Sequence, residues 1–395
     1  MADELTYAAK RARARCAEVE LLLHCAGANA GNGDRVVKLV QQGLDWDALS
    51  EAAEYHGLAP ILYRAVDGAC PELVPEAIAR QLRNGYRDSA KRNLIFTAKL
   101  LELLDAFEGE GIAVVPLKGP ALAASLYSDP VLRPFSDLDL LVRKQDVPAA
   151  LRLLAREGYS LGAHMARLPT HTLLRLRFEV LLSQEQRAQV DLQWAIGPAD
   201  YPFCFDVEML WRSLGRSRIA GREVASLSPE SLMLFLCVHG TKHLWSRLQW
   251  LGDVARLVRA QPDWAGTVEL ASEAGCVRPL LLGLLLAHEL LEAPVPEAIL
   301  ERAVGAEAVQ GRARQVVLRL HRIPPVEPES LEITSFNARL AERTWQKVRH
   351  YAALLRAPTE KELELLPLPE KLFFLYYPFR GVRLALKYGL RLARG

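Results

Sequence analysis

The sequence predicts an α+β protein, a small mixed β-sheet flanked by N- and C-terminal helical regions, and three changes of pattern predict it. Apolar residues recur at three- and four-residue spacing from Glu4 to about Phe107. After Gly109–Gly111 short β-branched runs with period-two alternation take over. Helical spacing returns beyond Ser228 and persists to the end, interrupted by prolines. The boundaries that follow are residues 1–108 for a helical N-terminal domain, 109–227 for the sheet-bearing core and 228–395 for a helical C-terminal domain.

Within the core, "IAVVPLKG" (112–119) reads as a strand that ends in glycine. "PALAASLY" (120–127) opens a helix with proline at the first helical position, where no N–H is needed. "SDLDLLV" (136–142) is a strand, and "VPAALRLLAREGY" (147–159) is a helix with leucines on one face and a glycine stop. Residues 175–196 contain two strands around the polar turn Ser183–Arg187, a hairpin. No internal repeat and no low-complexity tract interrupts this order.

Composition narrows the function classes. The 395 residues are half apolar, enough for a sizeable core, and 49 basic against 47 acidic side chains leave almost no net charge. That balance disfavours a protein whose main task is coating nucleic acid or anionic lipid, although a local basic patch remains permitted. The six cysteines are scattered without paired metal-ligand spacing and read as reduced core residues. The N-terminus has no apolar h-region, and no segment reaches the roughly 18 apolar residues of a spanning helix, so a cytoplasmic location is expected.

Two aspartates break the strand pattern. Residues two apart in a strand share a face, so Asp137 and Asp139 project side by side while Leu138, Leu140 and Val142 cover the other face. Such carboxylates repel unless a positive group lies between them, and a hard divalent cation suits carboxylate, water and phosphate oxygens together. The plainer reading is two acids at an exposed strand edge, solvated or paired with Arg133 and Arg143. Two neighbours favour the cation. Lys118 and Gly119 stand between a strand and a helix start, where free N–H groups make an anion site. Asp191 in "QVDLQWAI" is a third strand acid, sharing a face with Gln193 opposite Val190, Leu192 and Trp194.

In this order the motifs resemble the DNA polymerase β-type nucleotidyltransferase superfamily. More narrowly, "LKGPALAASLY", "RPFSDLDLLV", "QVDLQW" and "HGTKHLWSRLQWLGDVARL" are similar to a bacterial family of uncharacterised nucleotidyltransferases. The resemblance implies transfer of a nucleoside monophosphate from a nucleoside triphosphate to a hydroxyl of a small molecule, peptide or protein, with nucleic acid a less favoured acceptor. It implies that Asp137, Asp139 and Asp191 hold Mg²⁺ or Mn²⁺, and that Lys118, Gly119, Ser136 and Arg133 meet the triphosphate. One departure concerns the turn: Pro120 follows Gly119 where the superfamily commonly has a second small residue, and proline offers neither N–H nor hydroxyl. The rival implication is a catalytically silent nucleotide- or partner-binding module with the same fold; a helical adaptor remains if the three acids do not converge.

Further on, His239, Lys242, His243, Ser246 and Asp253 fall at spacings that place them on roughly one face of a helix, with Arg247 beside them. The pair His239 and His243 lacks the intervening glutamate of a zinc motif and has Lys242 beside it, which is unfavourable for a metal. Two readings stay open: a polar stripe in which Lys242 and Arg247 contact phosphates or the acceptor, and hydrogen-bonded core histidines packed with Trp245 and Trp250. The last 25 residues carry six basic side chains and no acid, with aromatics before Pro378. They read as a tail packed on its own domain, or as a weak membrane-surface or anionic-partner element.

Overall fold

The computed structural model describes residues 17–27, 32–184, 188–198, 201–203, 206–356, 365, 370–376 and 378–383. The helical spacing of the first hundred residues becomes five helices there: α1 (Ala17–Ala26), α2 (Gly33–Val40), α3 (Trp46–Tyr55), α4 (Ala59–Ala69) and α5 (Glu76–Gly109). Local chemistry sets the breaks. Asp45 caps α3 by accepting from the Ala48 N–H at 3.0 Å, and Gly57 takes a positive φ between α3 and α4.

The sheet that follows is mixed, with its strands in the order β1-β2-β5-β4-β3. In chain order it is built from β1 (Val114–Pro116), α6 (Pro120–Leu126), β2 (Asp137–Val142), α7 (Val147–Arg156), β3 (Ser160–Leu161), α8 (Thr170–Leu176), β4 (Glu179–Ser183) and β5 (Gln189–Gln193). β1 runs antiparallel to β2, β2 parallel to β5, and β5 antiparallel to β4, the expected hairpin. Most of that hairpin's turn, residues 185–187, lies outside the described residues.

The sheet separates two cores. Leu138, Leu140 and Val142 join Val190, Leu192 and Trp194 on one face, packed with Leu153 and Leu154 of α7 and with Leu103 and Phe107 of α5. On the other face Leu141 belongs to a larger core in which Leu21 and Leu62 of the N-terminal helices cluster with Met233, Leu251 and Leu282 from beyond residue 228. The N- and C-terminal helices thus share one interior, and α5 reaches both: Ile78 and Leu82 lie in the helical core, Leu103 and Phe107 in the sheet core. Toward its N-terminal end the second face of β2 turns from Leu141 to Asp139 and Asp137, which is where the site forms.

Beyond the main sheet, α9 (Glu208–Arg212) leads into a separate hairpin, β6 (Leu214–Ile219) and β7 (Arg222–Leu227), turned by Ala220 and Gly221 at φ 47° and 85°. Positive φ at both turn residues is the primed geometry that matches strand twist. The C-terminal helices are α10 (Pro229–Lys242), α11 (Leu248–Arg259), α12 (Trp264–Glu273), α13 (Val277–Leu291), α14 (Glu297–Val304), α15 (Glu307–Leu320), α16 (Ser330–Leu340) and α17 (Thr344–Arg356).

The stripe from His239 to Asp253 is therefore not one helix face but two helices and a turn. Leu244 and Trp245 both adopt positive φ, and this swings the Trp245 indole into the core. Gly240 and Gly283 make room for it: a Cβ on either would stand 2.5 Å and 2.9 Å from the ring. Four cysteines, Cys25, Cys70, Cys237 and Cys276, are buried free thiols as expected, while Cys16 and Cys204 lie outside the described residues. No helix among the described residues is long and apolar enough to cross a membrane. Most of the basic tail, residues 384–395, also falls outside them.

Candidate active site

Strand register brings the acids together. Asp139 pairs directly with Asp191 across the parallel β2–β5 ladder, and Asp137 lies two residues back on the same face. The Gln193 side chain ties them, its Nε2 donating to Asp139 Oδ1 at 3.1 Å and to Asp191 Oδ2 at 2.9 Å. The third acid thus turns toward Asp139. Lys118 Nζ stands 2.9 Å from Asp139 Oδ1, at the exit of β1.

Gly119 holds that exit in place. Its φ of 60° with ψ of −130° is a conformation that side chains strongly disfavour, and a Cβ there would meet the Asp137 carbonyl oxygen at 3.2 Å. The glycine therefore lets the turn pass close against the strand that carries the acids. The helix after it, α6, has only 7 residues and begins with Pro120, so fewer amides face the site than the sequence pattern suggests.

One acid escaped the sequence reading. Glu179 opposes Gln193 on β4, one strand beyond Asp191, so the carboxylates cross three adjacent strands on one side of the sheet. Its signal was the same as that of Asp137, an acid inside an apolar strand run. Lys242 answers it, with Nζ 3.9 Å from Glu179 and 4.4 Å from the Phe178 ring centre.

These groups perturb one another in consistent directions. Burial, then the charges of Glu179 and Asp139, push the Asp191 carboxyl up to about 8. Burial and Asp139 raise Asp137, and burial raises Glu179 although Lys242 opposes it. Burial pulls Lys118 down, but Asp139 and Asp137 more than offset it and leave the ammonium above its ordinary value. Lys242, dominated by burial, is lowered. His239 and His243 are held neutral by burial and by the nearby Lys118 and Lys242, His243 at about 3.

A cavity of about 760 Å³ opens over the carboxylates. Its floor is the acid face with Lys118, Gly119 and Ser136; one wall is His239, Lys242, His243 and Trp250 from α10 and α11; another is Gly85, Asp88, Ser89 and Arg92 of α5. The two histidine rings lie 4.8 Å apart and both pack against Trp250, at 5.1 Å and 5.5 Å. In the histidine region Trp245 is core, while His239, His243, Lys242 and Trp250 line the cavity.

Arg133 and Arg247 reach the cavity lining but are engaged elsewhere. Arg133 Nε and Nη2 donate to both oxygens of Asp253, at 3.0 Å and 2.9 Å, and the Tyr127 hydroxyl donates to the same carboxylate at 2.7 Å. Both ends of this ion pair are buried. Gln249 Nε2 donates to the Pro134 carbonyl at 3.0 Å and Asn93 Nδ2 to the Arg133 carbonyl at 3.2 Å, so the segment leading into Ser136 and Asp137 is fixed from two helices. Arg247 stacks on Tyr55 at 3.9 Å, donates to the Tyr55 carbonyl and pairs with Glu327 at 2.7 Å.

The acids suit a divalent cation in charge and in donor chemistry, since crowded carboxylates are relieved by a hard cation. As placed, no group of three or more His, Cys, Asp and Glu side chains among the described residues stands ready as a metal cage. Lys118 and Gln193 occupy the positions that a cation would contest.

This floor of paired strand acids under a helical roof has a counterpart among known sequences. The profile of a family described as uncharacterised nucleotidyltransferase matches residues 42–292, well over half of the chain and all of the cavity floor. The chain belongs to that family. Among solved structures it is similar to an antigenic nucleotidyltransferase-like protein from Paracoccidioides brasiliensis, at 14% identity over 52% of this chain and 97% of that one, with a TM-score of 0.33. No curated protein matches the chain.

Proposed function

We propose that the protein transfers a nucleoside monophosphate from a nucleoside triphosphate to a hydroxyl of a small molecule, peptide or protein, using Mg²⁺ or Mn²⁺. The observation that carries this reading is the direct register of Asp139 with Asp191, with Asp137 on the same face, beneath a cavity in a chain of the nucleotidyltransferase family. Asp137, Asp139 and Asp191 would hold the cation, which supplies charge neutralisation at the triphosphate and a lowered pKa for the acceptor hydroxyl. The chain's own groups do the rest. Gln193 orients Asp139 and Asp191, and Lys118 offers an ammonium that moves from carboxylate to phosphate. The acceptor oxygen bonds to the α-phosphorus, the bond to the β-phosphate oxygen breaks, and pyrophosphate leaves. Asp191, beside Asp139 across the strand ladder, would take the hydroxyl proton. His239, His243 and Trp250 form a neutral aromatic wall suited to a base or an acceptor ring.

A second reading, a silent nucleotide- or partner-binding module, is favoured by Lys118 and Gln193, which already satisfy Asp139 and Asp191 from within the chain. One experiment separates the two. The protein is incubated with each α-labelled nucleoside triphosphate, Mg²⁺ or Mn²⁺ and a cell lysate, with Asp137→Ala and Asp139→Ala as controls. Metal-dependent label transfer that drops by about 10³-fold or more in both variants supports catalysis. Transfer that survives them overturns the assigned roles, and binding without transfer favours the silent module.

A further inference from the structure

Five cations line the cavity: Arg92, Lys118, Arg133, Lys242 and Arg247. Four of them face an acid. Lys118 stands 2.9 Å from Asp139, Arg133 2.9 Å from Asp253, Arg247 2.7 Å from Glu327 and Lys242 3.9 Å from Glu179. Among the described residues Arg92 is the cavity cation with no carboxylate and no hydrogen bond; its neighbour Asp88 lies instead 3.9 Å from Lys91. A second observation sits one turn away on α5. Ser89 is only 3% exposed and lines the same cavity, yet its Oγ has no hydrogen-bond partner among the described residues. A buried hydroxyl left unpaired is costly unless a ligand completes it. Ser89 and Arg92 are three residues apart, on one helix face.

We propose that this face of α5 binds the terminal phosphates of the nucleoside triphosphate. The inference rests on the nucleotidyl-transfer reading and adds where the tail of the substrate lies. A triphosphate brings about four negative charges at neutral pH into a cavity whose floor is already acidic, and a cation that must first leave a carboxylate gains less by turning to it than an unpaired one. Arg92 gives up no partner to do so. Its planar fork takes two oxygens of one phosphate, and the Ser89 hydroxyl donates to a third. The N-terminal helical region is then part of the substrate site rather than a flank.

The test uses the full chain with Mg²⁺ and calorimetric titration of the four nucleoside triphosphates, the monophosphate of whichever binds best, and inorganic tripolyphosphate. Arg92→Ala is expected to weaken triphosphate and tripolyphosphate binding by about 10- to 100-fold while monophosphate affinity stays within about twofold. Arg92→Lys recovers part of the loss. Ser89→Ala weakens triphosphate binding several-fold without lowering the melting temperature. Unchanged triphosphate affinity in Arg92→Ala, or an equal loss for triphosphate and monophosphate, overturns the inference and leaves the transfer reading standing. A wild-type chain that binds none of the four triphosphates overturns the transfer reading itself.

Discussion

Two charged clusters lie within a few residues of each other along the chain and have opposite characters. At the Arg133–Asp253 pair, one buried guanidinium meets one buried carboxylate, a tyrosine hydroxyl completes the acceptor, and nothing is left over. At the cavity floor, Asp137, Asp139, Asp191 and Glu179 outnumber Lys118 and Lys242, and the imbalance appears as carboxyl pKa values pushed upward. The first cluster is finished by folding. The second keeps its excess of negative charge after folding. Buried charge that balances in place holds structure, whereas buried charge left in excess marks where something else must bind.

Removing an acid from each cluster should therefore have opposite effects on stability. Asp253→Ala leaves Arg133 buried and unpaired and is expected to cost about 3–5 kcal/mol, measured by chemical denaturation, which makes it the most damaging single substitution at either cluster. A loss under about 1 kcal/mol would mean that the pair is solvated and the contrast false. Gly119→Ala tests the backbone between the clusters. It forces a side chain into a disfavoured conformation against the Asp137 carbonyl, and a cost of about 1–3 kcal/mol with loss of transfer activity is expected. Full activity in that variant would show that the close approach is dispensable.

Asp191→Asn should act in the other direction, and with a sign set by pH. In the unfolded chain the carboxyl ionises near its ordinary value of about 3.9, whereas the native chain keeps the proton up to about 8. Between these values the native state binds more protons, so wild-type stability falls as pH rises through the window. The amide variant lacks that loss. Its melting temperature, measured without divalent cations, should match wild type near pH 4 and exceed it increasingly toward pH 8, with added Mn²⁺ narrowing the gap by stabilising wild type more. A gap that shrinks with rising pH would mean that Asp191 is not crowded by negative charge.

The site's floor was legible because strand periodicity is strict: two acids two apart share a face, and an acid in a neighbouring alternating run lands beside them when the register allows. Glu179 carried the same signal and was passed over. The walls were not legible in that way. A helix shows which residues share a face but not what the face meets, so Asp253 grouped with the histidines by spacing although it reaches back 120 residues to Arg133. For the same reason nothing in the sequence sets Ser89 and Arg92 apart from the rest of their helix. The β6–β7 hairpin went unseen because its strands alternate weakly and Ala220, not glycine or asparagine, takes the first left-handed turn position. The Trp245 turn was hidden likewise, since neither Leu244 nor Trp245 signals a helix break.

Helix α5 carries a mechanical implication. Its 34 residues form a rod about 50 Å long, anchored at one end among the helices and at the other beneath the sheet. A rod fixed at both ends resists bending, so the residues it lends to the cavity wall, from Gly85 to Arg92, sit on a stiff support.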